Sequence, residues 1–123
     1  MRGSMKTQIT AALKCCSKFK ESRHAYKKMY GGKSPFIHSI GTFDKVARRL
    51  WPLNDWLKNK GGRNLELFTN NLVMEYLAHR LEYHLERGNS RQAFKVEVAA
   101  LGNLERGLKC FSLKHRDAPL NYD

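Results

Sequence analysis

The sequence predicts an all-α fold, a bundle of four amphipathic helices. Three observations carry that expectation. Apolar residues recur at three- and four-residue steps through four separate segments. Glycine-marked loops divide those segments, and no stretch alternates apolar and polar residues as a half-buried strand does. Helices this short need tertiary packing of their apolar faces to be stable in water, so a bundle follows.

The first segment is expected to run as one helix from Lys6 to Tyr30, with Ile9, Leu13, Cys16, Phe19, Tyr26 and Met29 on its apolar side. Gly31-Gly32 is the expected stop, with Lys27 and Lys28 placed to meet the carbonyl end of the helix. The second segment follows the loop 33–36. Ser39 or Thr42 caps it, and Phe43, Val46, Leu50, Leu53 and Leu57 form its stripe. Pro52 lacks an amide donor and crowds the preceding turn, which predicts a kink or restart near Trp51. Gly61-Gly62 closes the element.

Thr69 or Asn70 begins the third helix, for which Leu72, Tyr76, Leu77, Leu81 and Leu85 are the expected inward face. Gly88 ends it. Ser90, a favourable N-cap residue, opens the fourth helix, with Phe94, Val98, Leu101, Leu104, Leu108 and Phe111 facing the core.

A chain of 123 residues suits one domain. Residues 1–4, Met-Arg-Gly-Ser ahead of a second methionine, read as an expression-vector remnant; residues 5–116 read as the helical domain, and 117–123 as a tail or the start of a linker. No run approaches the roughly 20 apolar residues of a membrane span, and no secretory leader is evident, so a cytoplasmic location is expected. Cys15 and Cys16 are adjacent and Cys110 is distant in sequence, which predicts reduced structural thiols and no disulfide framework.

Charge separates this chain from an ordinary soluble helical protein. Lys plus Arg number 23 against 11 acidic residues, a formal net charge of +12. Residues 1–63 hold 15 basic and 3 acidic side chains, whereas residues 64–123 hold 8 of each. So uneven a field points to a polyanionic partner.

Two stretches resemble a known family. Ser39-Ile-Gly-Thr42-Phe-Asp-Lys-Val46-Ala-Arg-Arg-Leu50-Trp-Pro-Leu53 resembles the second-helix pattern in the core-binding domain of tyrosine recombinases, the phage-integrase family. Phe68-Thr69, Leu72-Val-Met-Glu-Tyr76-Leu77 and Leu85-Glu-Arg-Gly88-Asn-Ser90-Arg-Gln-Ala-Phe94-Lys95-Val-Glu-Val98-Ala-Ala100-Leu101 resemble that domain's third helix and its turn into the fourth. The likeness covers residues 30–112. It departs from the family at Ala93, where Thr is common, and at Val96 and Glu97, where basic residues are common.

The resemblance implies a SAM-like, orthogonal four-helix bundle that holds double-stranded DNA and acts in site-specific recombination or DNA integration for a phage or other mobile element. It also implies other recombinase protomers as partners and a catalytic domain beyond Asp123, so that the chain alone is not an enzyme. The setting implied is the cytoplasm of a bacterium, at the nucleoid when bound.

Within that frame the ends of the second and fourth helices approach the major groove. The residues agree with this in their chemistry. Thr42, Lys45, Arg48 and Arg49 lie off the apolar stripe of the second helix, and Ser90, Arg91, Gln92 and Lys95 occupy the first turns of the fourth. Arg and Lys there suit phosphates, which a helix N-terminus also favours, and Gln92 suits an adenine edge. Thr42 and Ser90 equally suit helix capping alone, and the cations equally suit a solvated surface.

No cofactor, metal or small-molecule substrate is expected. His79 and His84 are five residues apart and so not on one helix face, and His24, His38 and His115 fall in separate segments. Carboxylates do not pair for acid–base work, and neither a P-loop nor a dinucleotide fingerprint occurs. Trp51 and Trp56 suit the core or an interface better than base stacking. Two other functions compete: a helical protein–protein interaction module with a basic face, or a stand-alone helix-turn-helix regulator.

Overall fold

The computed structural model describes residues 3–19, 25, 28, 29, 31 and 36–114. In chain order these residues form α1 (Met5–Cys15), α2 (Ile40–Arg49), α3 (Trp51–Asn59), a 3-10 turn (Leu65–Leu67), α4 (Asn70–Glu86) and α5 (Arg91–Lys114). The architecture is all-helical. Among the described residues the β-type pairing is one isolated bridge, Ser17 with Ile37.

That bridge overturns the expectation of a single helix from Lys6 to Tyr30. Helix α1 ends at Cys15, and Cys16 turns its amide back to Leu13 and Lys14. The Ile37 N–H then donates to the Cys16 carbonyl at 3.0 Å, and the Lys18 N–H to the Ile37 carbonyl at 2.6 Å. Pairing with the segment ahead of α2 thus takes the backbone groups that a continued helix would have used. Phe19 and Met29, expected on the apolar side, are 43% and 72% exposed. Tyr26, Lys27 and Gly32 lie outside the described residues.

The other boundaries follow local chemistry. Ser39 caps α2, its Oγ accepting the Thr42 N–H at 3.1 Å, and Thr69 caps α4 by accepting the Leu72 N–H at 3.3 Å. Pro52 stands in the first turn of α3, where its missing N–H is harmless, so the chain restarts at Trp51 as the sequence predicts. Helices α3 and α4 close alike. Gly61 and Gly88 take φ of +76° and +66°, and the next residues, Gly62 and Asn89, donate back to the Leu57 and His84 carbonyls at 2.8 and 3.0 Å.

At the centre lies α1, which packs on α2, α3, the 3-10 turn and, most extensively, α5. Ile9, Ala12, Leu13 and Cys16 of α1 are buried with Val46, Ala47 and Leu50 of α2, Leu53 and Leu57 of α3, and Ala100 and Leu104 of α5. The α1–α5 crossing is close because Gly107 has no side chain. A Cβ on Gly107 would stand 2.2 Å from the Ala12 carbonyl oxygen.

Residues 3 and 4, set aside in the sequence as a vector remnant, enter this packing. Ser4 caps α1, and the Gly3 carbonyl accepts a hydrogen bond from buried Gln8 at 3.0 Å. Gln8 also donates to the Arg63 carbonyl at 2.7 Å and accepts the Leu65 N–H at 2.7 Å. The amide of one side chain thereby fastens the loop between α3 and the 3-10 turn to α1.

Candidate nucleic-acid interface

The candidate residues lie on α2 and on the first turns of α5, two helices that pack against each other. On α2 the buried pair Val46 and Ala47 fixes the rotation of the helix. Lys45 and Arg48 are then exposed and Arg49 half-buried. Arg48 and Arg49 fall in the last turn, where the carbonyl end of the helix favours cations. Thr42 is half-buried, and its Oγ1 accepts a hydrogen bond from the Ser39 hydroxyl at 2.9 Å. Thr42 is therefore held by the capping turn, with Ser39 itself the cap.

On α5, Ser90, Arg91, Gln92 and Lys95 are all exposed. Ser90 stands at the helix entrance, its carbonyl accepting the Ala93 N–H at 3.1 Å. No acidic residue occupies the first turn of α5, so the partial positive charge of that end is uncompensated by carboxylates. Ser90, Arg91 and Lys95 line one cleft together with Asn89. Gln92 does not line it.

The five cations Lys45, Arg48, Arg49, Arg91 and Lys95 form no ion pair with any described carboxylate. The ion pairs among the described residues lie elsewhere: Lys60 with Glu75, Lys109 with Glu105, and a buried group around Glu97. No hydrogen bond or ion pair among the described residues joins the α2 set to the α5 set. They are two cationic groups on neighbouring helices, not one bonded cluster.

Two other lysines lie over tryptophan rings. Lys6 places its Nζ 4.5 Å from the Trp51 ring centroid, and Lys60 places its own 5.1 Å from that of Trp56. Both tryptophans are half-buried against the core. Their faces are taken by packing and by these ammonium groups, which accords with a core role and not with base stacking.

The buried group around Glu97 was not foreseen. The sequence predicts Leu81 and Leu85 of α4 and Val98 of α5 as inward-facing; they are 44%, 71% and 40% exposed. Tyr76 is buried as the sequence predicts, but beside it α4 buries Arg80 and His84, and α5 buries Glu97. Arg80 donates from Nε and Nη2 to the two carboxylate oxygens of Glu97 at 2.6 and 3.1 Å. His84 Nε2 bonds the same carboxylate, and Asn89 Nδ2 meets His84 Nδ1 at 2.9 Å. Burial lowers the Arg80 pKa, but the hydrogen bonds and charge of Glu97 outweigh that effect and hold it above its usual value.

The signal for this cluster lay in the i, i+4, i+8 spacing of Tyr76, Arg80 and His84, matched by one acid in the next helix. Counting leucines hides it, because Leu77, Leu81 and Leu85 carry the same period one residue away. The presence of Glu97 where the resembled family is basic is thus explained locally: the residue faces inward and neutralises Arg80.

Cys110, distant in sequence, meets the adjacent Cys15 and Cys16 where α1 crosses α5. Cys110 Sγ donates to the Cys15 carbonyl at 2.9 Å, and Cys16 Sγ to the Leu13 carbonyl at 3.3 Å. All three are free thiols. Burial pushes the Cys16 thiol up to about 11, the nearby charge of Arg106 opposing it only partly. Among the described residues no three His, Cys, Asp or Glu side chains come together as a metal site, and no helix is long and apolar enough to cross a membrane.

No protein-family model, curated protein or solved structure matches this chain. The functional reading therefore stands on its own residues.

Proposed function

We propose that the chain is the DNA-binding core-binding domain of a site-specific tyrosine recombinase, an integrase. It grips duplex DNA and orients it for a catalytic domain that is not part of this chain. In this reading the helices form the SAM-like orthogonal bundle of that family, and other recombinase protomers assemble beside it on DNA. It works in the cytoplasm and needs no cofactor of its own.

The observation that carries the reading is the set of cations on α2 and at the start of α5 that form no ion pair among the described residues. A cation already held in an ion pair, as Lys60 and Lys109 are, offers less to a polyanion than one outside such a pair. Lys45, Arg48, Arg49, Arg91 and Lys95 supply this contact. Ser90 and Thr42 donate hydroxyls at the helix starts, and Gln92 reads a base edge.

Fluorescence anisotropy with a labelled 20–30 base-pair duplex tests it. Arg49→Ala and Lys95→Ala should each weaken binding several-fold, while Lys109→Ala, whose cation already pairs with Glu105, should leave it unchanged. Equal affinity for all three variants and the parent would remove this surface from the reading.

A further inference from the structure

The burial pattern of α4 and α5 is inverted, and the inversion leaves an apolar seam open. Met74, Leu81 and Leu85 of α4 and Val98 of α5 are 66%, 44%, 71% and 40% exposed. Arg80, His84 and Glu97 are buried between the same helices. Polar groups thus clamp α4 to α5 from within, while aliphatic side chains line the outside of the joint. Two clefts follow. One, of about 360 Å³, is lined by Val73, Leu77, Leu101 and Leu108; the other, of about 270 Å³, by Leu81, Leu85 and Phe94 with Arg91 and Lys95.

We propose that this seam docks an acidic amphipathic helix of another protein. Its geometry suits a helix: the α4 residues lining the two clefts, Val73 and Leu77 against Leu81 and Leu85, are displaced by eight positions, roughly 12 Å at 1.5 Å per residue. One apolar anchor in each cleft, seven or eight residues apart on the incoming helix, spans that distance. The charge of the second cleft suits an acidic partner, because Arg91 and Lys95 line it and lack carboxylate partners among the described residues; Glu105, which lines the first cleft, is already paired with Lys109. A second copy of this chain meeting the seam face to face would set its own Arg91 and Lys95 beside those of the first, and repulsion disfavours that occupant. The proposal rests on the apolar seam and not on DNA binding, although Arg91 and Lys95 are common to both surfaces.

Two synthetic 18-residue helical peptides with the same leucine face, one bearing glutamates and one lysines on the polar face, provide the test. Amide chemical shifts of the full chain should move along Leu77–Leu85 and Phe94–Leu101 on adding the glutamate peptide. Its affinity should exceed that of the lysine peptide at least tenfold. Leu85→Ser and Val98→Ser, both at exposed positions, should each weaken the glutamate peptide at least fivefold while leaving the melting temperature and duplex affinity unchanged. The proposal is overturned if neither peptide binds, if the serine variants bind as the parent does, if the chain dimerises in sedimentation through this seam, or if the seam binds phosphatidylglycerol vesicles in preference to the peptide. Several-fold weaker duplex binding in Arg49→Ala with peptide binding intact separates the two surfaces.

Discussion

Arg80 of α4 presents its guanidinium side-on to Glu97 of α5, with Nε and Nη2 each on a different carboxylate oxygen. Both side chains are about nine-tenths buried. The pair, with His84 on the same carboxylate, joins α4 to α5. Removing one partner leaves a buried charge without compensation, which typically costs about 3–5 kcal/mol. Glu97→Leu should therefore destabilise the protein by that amount in urea unfolding. Adding Arg80→Leu to it should restore at least half of the loss, since the second change removes the orphaned charge. Additive losses in the double variant would show that the pair is not coupled.

Gly107 and Gly102 lie in the same helix and should respond to alanine in opposite ways. At Gly102 the nearest atom to a new Cβ is the tip of the Arg106 side chain, 3.7 Å away. Alanine there gains helix propensity, about 1 kcal/mol at most. At Gly107 the methyl meets the Ala12 carbonyl oxygen, which is backbone and cannot swing aside. Separation of α1 from α5 should outweigh the propensity gain, for a net loss of about 1–3 kcal/mol. Thermal melts of the two variants check this, and equal shifts for both would contradict the close crossing.

Alkaline pH should weaken the fold. The Cys16 thiol ordinarily ionises near 9.0 and is held by burial up to about 11. Between those values the unfolded chain loses a proton that the folded chain keeps, so stability falls as pH rises through the window. Tyr76, whose buried phenol is likewise pushed upward, adds to the fall at its upper end. Cys16→Ala should flatten the slope of unfolding free energy between pH 9 and 11, whatever it does to stability at neutral pH. Parallel curves for variant and parent would place the sensitivity elsewhere.

The sequence made the fold class and most boundaries legible because these are local. Ser39, Thr69, Pro52, Gly61 and Gly88 each act through the backbone within a few residues, and each stands where its chemistry predicts. The failures are all tertiary. Periodicity along the first segment continues past Cys16, but pairing between residues 16–18 and 37 lies outside any local pattern. Periodicity on α4 equally allows Leu77, Leu81 and Leu85 or Tyr76, Arg80 and His84 to face inward, and only Glu97 of another helix decides between them. The candidate interface was legible as a charge asymmetry and as positions off the apolar stripe of α2. What the sequence could not convey is that its cations form no ion pair among the described residues, a property of the folded surface alone.

Electrostatic contact with phosphates has one decisive signature, the dependence of affinity on salt. Duplex affinity measured between 50 and 250 mM KCl should give a log–log slope of about −3 to −5, corresponding to about four or five neutralised phosphates. Arg49→Ala and Lys95→Ala should each make the slope shallower by about one unit. A flat dependence, or slopes identical in parent and variants, would contradict a DNA face built on α2 and the start of α5.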